Sequence, residues 1–230
     1  MINTKAGVKN ENRTELTIVM PALNASATLS GTIARLHGAP VIVVDGGSTD
    51  GTPGRAARLG ARVMAAPPGR GGQIAAGVAA TRSPWLLLLH ADTRLESDWR
   101  EAAEHHMRDH PDKAGYFRFR LDSPDPRARR VERLVAWRCR ILGLPYGDQG
   151  LLVARSLLDA VGGVRPLPLM EDVDLVRRLR GRLRPLACDA VTSASRWERD
   201  GWTRRSLRNL ACLALWRAGV PLSTIVRLYR

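Results

Sequence analysis

Residues 86–93 read LLLLHADT, a run of four leucines that leads directly into a histidine, an alanine and an aspartate. Burial of each leucine side chain stabilises a fold by roughly 1.5–3 kcal/mol, so this run belongs in a protein core. A buried carboxylate without a partner costs several kcal/mol, so the polar end of the stretch does not belong there. We therefore expect His90 and Asp92 to emerge where the core ends.

This run is the last of four apolar segments that alternate with helix-like segments. The apolar segments are LTIVM (16–20), VIVVD (41–45), ARVMA (61–65) and WLLLLH (85–90), with helix-like segments at 26–37, 50–60 and 70–82. Continuous apolar strands separated by helices are typical of a parallel sheet covered on both faces. The pattern predicts a doubly wound α/β fold.

Polar side chains follow three of these predicted strands. Asn24 follows the first, Asp45 ends the second, and His90 and Asp92 follow the fourth. Ligands of open α/β sheets bind outside the carboxyl ends of the strands. The sequence therefore predicts a single crevice that collects these four residues.

The second half of the chain mixes both element types. It predicts strands at 116–121, 150–154 and RPLACDAV (184–191), a basic amphipathic helix at 126–142, a helix that begins at MEDVDL (170–175), and two C-terminal helices broken at Gly219 and Pro221. We divide the chain into a flexible leader (1–14), one main domain (15–200) and a C-terminal helical extension (201–230).

Composition narrows the classes of partner and compartment. Lys and Arg total 36 against 22 acidic residues, a formal charge of +14, which favours anionic partners such as nucleotide diphosphates, acidic lipids or nucleic acid. The three cysteines form no CxxC pair, so neither a disulfide framework nor a zinc site is indicated. No apolar run approaches the roughly 18 residues of a membrane span, and the N-terminus has no signal-peptide core. These features predict a cytoplasmic protein.

Each polar motif also has an ordinary structural interpretation. VVDGGSTDGT (43–52) and GDQG (147–150) suit tight turns, PGRGGQIAAG (68–77) suits a helix start, and the acids of MEDVDL suit the first turn of a helix. Val173, Val176 and Leu179 mark the buried face of that last helix, which leaves Asp172 just outside it. We interpret His37, His105, His106 and His110 as surface residues, because no acid and nucleophile accompany them.

Five motifs in order resemble one family. MPALNAS (20–26), VVDGGSTDGT, HADT (90–93), GDQG and MEDVDL are similar to the motifs of family 2 glycosyltransferases with the GT-A fold. The strings LLLLHADT, GDQG, PLMEDVDL and RWERDGW look most like a bacterial subset labelled arsenosugar-biosynthesis glycosyltransferases. The resemblance implies a Rossmann-like, mostly parallel sheet flanked by helices, followed by the C-terminal helical extension.

The resemblance also implies roles for individual residues. It implies that Asp92 holds a divalent cation (Mg²⁺ or Mn²⁺) and that Asp172 is the catalytic base, with Glu171 beside it. The implied contacts to the donor are Pro21, Ala22, Asn24, Asp45, Gly46, Ser48, Arg70, Gln73, His90, Ala91 and Asp92. The implied residues of the acceptor side are Asp148, Gln149, Arg196 and Trp197. Two positions depart from the family pattern. His90 replaces the first acid of D-x-D, and Ser193 replaces the glutamine of Q-x-x-R-W, which argues against processive synthesis.

These implications predict an inverting glycosyltransferase that moves a sugar from a nucleotide diphosphate sugar to the hydroxyl of an unknown acceptor. Two alternatives stay open: a sugar-phosphate nucleotidyltransferase and a basic nucleic-acid-binding protein. We expect no nucleic acid partner, because few aromatic residues are available for stacking. The basic C-terminal segment either rests on the inner membrane face, forms a homodimer interface or packs on the sheet.

Overall fold

The computed structural model describes residues 16–229. The leader predicted for residues 1–14 lies outside the described residues. Within them, the chain forms one eight-stranded sheet in the order β3-β2-β1-β4-β7-β6-β8-β5. The strands are β1 (Leu16–Ala22), β2 (Val41–Asp45), β3 (Arg62–Ala65), β4 (Trp85–Leu88), β5 (Thr93–Leu95), β6 (Ala114–Asp122), β7 (Leu151–Ala154) and β8 (Leu183–Ser193).

Helices connect and cover these strands. They are α1 (Ser26–Ala34), α2 (Thr52–Arg58), α3 (Arg70–Ala79), α4 (Trp99–Asp109), α5 (Pro126–Leu142), α6 (Arg155–Ala160), α7 (Glu171–Arg178), α8 (Ser195–Asp200), α9 (Trp202–Arg217) and α10 (Leu222–Tyr229), with a short 3₁₀ helix at Gly147–Gln149. Helix α3 packs tightly on the sheet at Gly77, where an added Cβ would lie 2.4 Å from Val19 Cγ1. The absence of a side chain at this position therefore sets the distance between α3 and the sheet.

Strands β1, β2 and β4 are buried, and β3 at the sheet edge is partly exposed. The four strands are parallel in the order β3-β2-β1-β4, as the apolar runs predict. In register, Ala22 lies opposite Asp45, and Val19 lies opposite Leu88. The carboxyl ends of β1, β2 and β4 therefore meet at one edge of the sheet. This edge carries the residues that follow LTIVM, VIVVD and WLLLL.

The other half of the sheet is mixed in direction. Across the described strands, four pairings are parallel and three are antiparallel. The parallel majority expected from the sequence is therefore slight, since β7 runs against both β4 and β6. The short strand β5, directly after the HAD motif, has no counterpart in the sequence interpretation.

His106 corrects the expectation of a surface histidine. Its side chain is buried, its Nε2 lies 3.0 Å from the carbonyl oxygen of Lys113, and its ring stands edge-on to Trp85. A buried imidazole needs such a partner because an unpaired polar group costs free energy. Helix α4 therefore turns His106 inward and leaves His105 exposed.

The two helices predicted after residue 202 are present and pack on the rest of the chain. Cys212 of α9 and Ile225 of α10 are fully buried in one apolar cluster with Leu169, Met170 and Val173. Because those three residues surround the start of α7, the C-terminal helices support the segment that carries Glu171 and Asp172. Among the described residues, no helix is long and apolar enough to cross a membrane.

Candidate active site

Asp45 shapes the turn after β2 with one carboxylate oxygen. Its Oδ2 accepts hydrogen bonds from the backbone N–H groups of Gly47 and Ser48, each at 3.0 Å. Gly47 has φ 92°, a conformation that costs little only in glycine. The second oxygen, Oδ1, is buried and has no hydrogen-bond partner within the described residues. One half of this carboxylate therefore holds the turn, and the other half is available to a ligand.

The turn after β1 is fastened to the turn after β2. The backbone N–H of Asn24 donates to Ser48 Oγ at 2.8 Å, and Asn24 Oδ1 accepts from the backbone N–H of Thr49 at 2.9 Å. Asn24 itself adopts φ 50°, which asparagine tolerates better than most residues. Pro21 and Ala22 are buried in β1 just before this turn. The two turns therefore form one rigid rim.

Gln73 occupies a structural position under this rim. Its Nε2 donates to the carbonyl oxygens of Ala22 at 2.9 Å and Val44 at 2.7 Å, which uses both of its N–H donors. Gly46 leaves room for this amide, because an added Cβ would lie 3.1 Å from Nε2. The structure thus places Gln73 beneath the strand ends, although the sequence interpretation assigns it to the donor.

A cleft with an empty volume of about 760 Å³ lies beside this edge of the sheet. It is lined by seven of the residues singled out in the sequence: Arg70, His90, Asp92, Asp148, Asp172, Arg196 and Trp197. They come from α3, the segment after β4, the 3₁₀ helix, α7 and α8. Asp92 of HAD and Asp172 of MED therefore face the same space.

Asp172 is held by two backbone donors. Its Oδ2 accepts from Gly147 N–H and its Oδ1 from Val173 N–H, both at 2.8 Å. Burial acts to raise the pKa of Asp172, but the charge of Arg70 and the N–H of Gly147 outweigh it and lower that pKa. Asp172 is therefore an oriented carboxylate at neutral pH.

Glu171 points away from the cleft and pairs with Arg70. Its side chain is 1% exposed, and its Oε1 lies 2.9 Å from Arg70 Nε, without the alignment of a hydrogen bond. Burial and the charge of Asp172 raise the pKa of Glu171 to about 7, although Arg70 opposes them. Burial would also lower the pKa of Arg70, but both carboxylates keep it above its ordinary value. Arg70 therefore remains a cation beside Asp172.

A glycine makes this ion pair sterically feasible. An added Cβ at Gly71 would lie 2.4 Å from the carbonyl oxygen of Arg165 and 2.6 Å from Leu167 backbone atoms. The N–H of Gly71 also donates to Leu167 O at 3.2 Å. The segment that leads into α7 therefore rests directly on the start of α3, next to Arg70.

His90 is neutral at physiological pH. Burial, with the nearby charge of Arg70, lowers the pKa of its imidazole to about 4. A neutral imidazole has a lone pair for a metal ion or a hydrogen-bond donor. Ala91 is buried, and its carbonyl accepts from Thr32 Oγ1 at 3.0 Å, so the HAD segment is anchored between its two polar residues.

The residues of the cleft fit a divalent cation that also binds substrate oxygens. Asp148 Oδ1 is buried without a partner, and burial raises the pKa of Asp148 to about 6. Among the described residues, no group of three His, Cys, Asp or Glu side chains is arranged to hold a metal alone. Mg²⁺ commonly binds one or two carboxylates and completes its shell with water and substrate phosphates. The two carboxylates of Asp92 and Asp148, which line the cleft together, match that pattern.

The predicted acceptor residues divide into two groups. Asp148, Arg196 and Trp197 line the cleft. Gln149 is buried elsewhere: its Nε2 donates to Phe117 O at 2.9 Å and its Oε1 accepts from Tyr146 N–H at 3.2 Å. The structure therefore places Gln149 under the 3₁₀ helix rather than in the cleft.

Residues of the C-terminal helices also line the cleft, and the sequence interpretation missed them. They are Arg205, Asn209 and Leu213 of α9 and Tyr229 of α10. The apolar face of α9 could have indicated that it packs inward. Nothing in the local sequence indicates which part of the fold it would reach.

Comparison with protein families identifies the family of this chain. The model of glycosyl transferase family 2 matches residues 17–165, well over half of the chain. The chain belongs to this family. The family prediction is therefore confirmed, and the match includes the segments that carry Asp45, Arg70, Asp92 and Asp148.

Curated relatives match a shorter region of this family 2 member. Uncharacterized glycosyltransferases of Mycobacterium bovis and Mycobacterium tuberculosis are 38% identical over 84 residues. The match covers 36% of this chain and spans 38% of the length of each relative.

Solved structures share the fold. TarS of S. aureus, in complex with UDP-GlcNAc, superposes with a TM-score of 0.61 at 15% identity over 77% of this chain and 58% of that one. Glucosyl-3-phosphoglycerate synthase of M. tuberculosis, in complex with Mn²⁺, UDP and glucosyl-3-phosphoglycerate, superposes with a TM-score of 0.59 at 21% identity. This match covers 91% of this chain and 81% of that one. The predicted α/β GT-A fold is confirmed.

Proposed function

We propose that this protein transfers a sugar from a nucleotide diphosphate sugar to an acceptor hydroxyl, with inversion at the anomeric carbon. The observation that carries the proposal is the cleft in which Arg70, Asp92 and Asp172 face one another at the carboxyl ends of the strands. Related folds have been solved with UDP-GlcNAc, and with Mn²⁺ and UDP. Family membership favours sugar transfer over the nucleotidyl transfer and nucleic-acid-binding alternatives.

The donor's nucleotide is assigned to the rim, where Asp45 Oδ1 is available to a base or ribose donor group. Its diphosphate is assigned to Arg70, whose charge is held by Glu171 and Asp172. Asp92 and Asp148 are the carboxylates that would hold a divalent cation, with water and phosphate oxygens completing its shell. When bound, such a cation neutralises the negative charge that develops on a leaving diphosphate.

Asp172 is the proposed base. It accepts the proton of the acceptor hydroxyl while that oxygen attacks the anomeric carbon and the bond to the diphosphate breaks. The hydrogen bond from Gly147 N–H fixes the orientation of the carboxylate. A single displacement of this kind inverts the configuration, which NMR of the product's anomeric proton would test. General base catalysis of this kind contributes about 10²- to 10⁴-fold in rate.

The test is Asp172→Asn, with turnover of UDP-sugars measured by UDP release and UDP binding measured by calorimetry with Mg²⁺ present. We expect turnover to fall by at least about 100-fold while UDP still binds. Glu171→Gln is the neighbouring comparison, and Asp159→Asn, an exposed acid at the end of α6, is the control. If Asp172→Asn turned over near the wild-type rate, Asp172 would not be the base. If Glu171→Gln lost more turnover than Asp172→Asn, the role of base would be assigned to Glu171 instead.

The finer assignment within the family also rests on sequence resemblance. The strings LLLLHADT and RWERDGW support a place in the arsenosugar-labelled subset. That label identifies neither the donor sugar nor the acceptor. Screening nucleotide sugars for thermal stabilisation would identify the donor, because a ligand that binds only the native state raises its melting temperature.

A cytoplasmic location with peripheral membrane contact is part of the proposal. Leu134, Trp137 and Ile141 form an exposed apolar stripe on α5, at 64, 57 and 60% exposure, and Arg133 and Arg140 lie beside it. Such a stripe suits an anionic membrane surface. Sedimentation with phosphatidylglycerol vesicles should exceed that with phosphatidylcholine vesicles, and Trp137→Ser should reduce it. Equal sedimentation with both lipids, with a dimer seen by analytical ultracentrifugation, would assign the stripe to a homodimer instead.

A further inference from the structure

The C-terminal helices bring a second set of polar groups to the cleft. Arg205 and Asn209 lie one turn apart on α9 and line the cleft together with Trp197 of α8 and Tyr229 of α10. Arg205 is 3% exposed and Trp197 is 8% exposed. These side chains lie outside the region matched by the family model, which ends at residue 165.

Three of these side chains carry a buried atom without a hydrogen-bond partner. Within residues 16–229, Trp197 Nε1, Arg205 Nε and Asn209 Oδ1 are all in this condition. Two of the three are N–H donors and the third is an amide oxygen. Buried polar groups in native proteins are paired in the great majority of cases, so three unpaired atoms on residues that line one cleft point to a ligand-binding site.

The charge around Arg205 indicates the sign of that ligand. The guanidinium of Arg205 reaches Asp200 Oδ2 at 3.3 Å, and the same carboxylate pairs with Arg199 at 2.9 Å and Arg208 at 3.4 Å. One carboxylate is therefore shared by three arginines. Arg196, which also lines the cleft, contacts the hydroxyl of Tyr229 at 3.5 Å and has no carboxylate within salt-bridge distance in the described part of the chain. This side of the cleft thus carries surplus positive charge.

The aromatic groups restrict where the ligand can lie. Arg205 stacks over the ring of Tyr229 at 4.6 Å, and Trp197 packs against Phe119 at 6.3 Å between ring centroids. Stacking fixes the plane of the guanidinium and leaves its Nε–H in a defined direction. A planar or tetrahedral anion suits donors held in this way.

We infer that the acceptor carries an anionic group, a phosphate or a carboxylate, that binds to Arg205 and the N–H of Trp197, with Asn209 accepting a hydrogen bond from a hydroxyl of the same molecule. The inference rests on the proposed glycosyl transfer, since the anionic subsite and the base Asp172 line one cleft. It assigns a substrate class to the acceptor side. Trp197 and Arg205 come from α8 and α9, whereas Arg70, to which the donor diphosphate is assigned, begins α3.

The test uses protein saturated with UDP and Mg²⁺, so that the donor site is filled. Inorganic phosphate and acetate are the probes, and binding is measured by calorimetry and by ³¹P NMR for phosphate. We expect both anions to bind the UDP-loaded wild type, and Arg205→Gln and Trp197→Phe to weaken them by at least about tenfold. Trp197→Phe keeps an aromatic ring and removes the donor, so it tests the subsite even if Arg205→Gln fails to fold.

The matched control is Arg208→Gln. Arg208 is on the same helix and shares Asp200 with Arg205, but it does not line the cleft. It should change anion affinity by less than about threefold, since only general charge is lost. The inference would be overturned if Arg208→Gln lost as much anion affinity as Arg205→Gln, or if UDP-loaded wild type bound no anion. Failure of the wild type to bind UDP would instead refute the proposed function.

The source of the anionic group is distinguished by competition. If the acceptor is a lipid headgroup, phosphatidylglycerol vesicles should displace phosphate from the UDP-loaded wild type, whereas phosphatidylcholine vesicles should not. If the acceptor is a soluble metabolite, glucose 6-phosphate or glucuronate should displace phosphate, whereas glucose should not. Either result supports an anionic acceptor, and displacement of phosphate by glucose as effectively as by glucose 6-phosphate would count against it.

Discussion

Two sides of the candidate site, the rim of β1 and β2 and the cleft wall formed by α8 and α9, differ in how many of their polar groups have hydrogen-bond partners. On the rim of β1 and β2, backbone and side chains satisfy one another: Asn24 and Ser48 join the two turns, and Asp45 Oδ2 holds its own turn. On the side of α8 and α9, Trp197 and Arg205 keep donors without partners. Among the described residues, the rim leaves one buried atom unpaired, Asp45 Oδ1, whereas the second side leaves three. If the rim binds the donor and the C-terminal helices bind the acceptor, as proposed above, a change on one side should weaken one ligand more than the other.

The close contact between the start of α3 and the segment before α7 offers the strongest test of this comparison. Gly71→Ala places a Cβ 2.4 Å from Arg165 O and 2.6 Å from Leu167 backbone atoms, so the segment before α7 must move. We expect a loss of about 3 kcal/mol in the free energy of unfolding, at the upper end for overpacking because the neighbours are backbone atoms. Turnover should fall by more than the loss of folded protein explains, because Arg70 and Asp172 would move apart. Urea unfolding and UDP release measure the two effects.

Gly72→Ala is the control for this change. It is the adjacent position of α3, and its added Cβ would be 4.0 Å from the nearest atom, Pro166 Cβ. Alanine is favoured over glycine in a helix by about 1 kcal/mol, so Gly72→Ala should leave stability equal or raised. If both variants behaved alike, the close contact between α3 and the segment before α7 would not be what joins the two sides.

The sequence predicted the rim well because strand ends obey a general rule. Four apolar runs identify the parallel strands, and residues at their carboxyl ends meet at one edge whatever the loops contain. Asp45 and Asp92 are placed by this rule alone. Asp172 and Asp148 needed the resemblance to a family, because their elements lie on the other half of the sheet.

Two kinds of residue escaped this reasoning. The sequence interpretation assigned Gln73 and Gln149 to ligands. In the structure, the side-chain amide of each donates to backbone carbonyl oxygens, and only the tertiary structure decides which carbonyls lie within reach. Arg205 and Asn209 were not assigned at all, because no local signal tells where a C-terminal helix will pack. The roles of the individual site residues stay predictions that the experiments above address.

A smaller perturbation should separate the two sides. Ile225 of α10 is fully buried against the cluster that contains Met170, which holds φ 64° at the start of α7. Ile225→Ala should cost about 2 kcal/mol, at the low end for such truncations because a terminal helix can relax into the cavity. We expect anion binding to weaken more than UDP binding, since α10 supports the acceptor side. Calorimetry with phosphate and with UDP makes the comparison.

Leu29 of α1 provides the counterpart on the rim. It is equally buried, and Leu29→Ala removes a similar volume from the helix after β1. This variant should weaken UDP binding more than anion binding. If Ile225→Ala and Leu29→Ala weakened both ligands in the same proportion, the two sides would form one cooperative unit rather than two.

The smallest expected effect concerns Asp148, at the boundary between the two sides. Burial raises its pKa from 3.8 to about 6, with Arg138 opposing and Asp172 and Asp92 adding to the rise. The folded protein therefore holds a proton between about pH 4 and pH 6 that the unfolded chain has released, so the free energy of unfolding falls as pH rises through this window. A shift of two pKa units corresponds to at most about 3 kcal/mol, and the half-buried position of Asp148 reduces the expected fall to about 1 kcal/mol.

Asp148→Asn has no proton to release, so the difference in stability between wild type and this variant should change by that amount between pH 4 and pH 6.5 in urea unfolding. Asp159→Asn, an exposed acid, should show no comparable change, and a constant difference for Asp148→Asn would mean that this carboxylate is as well solvated as one on the surface.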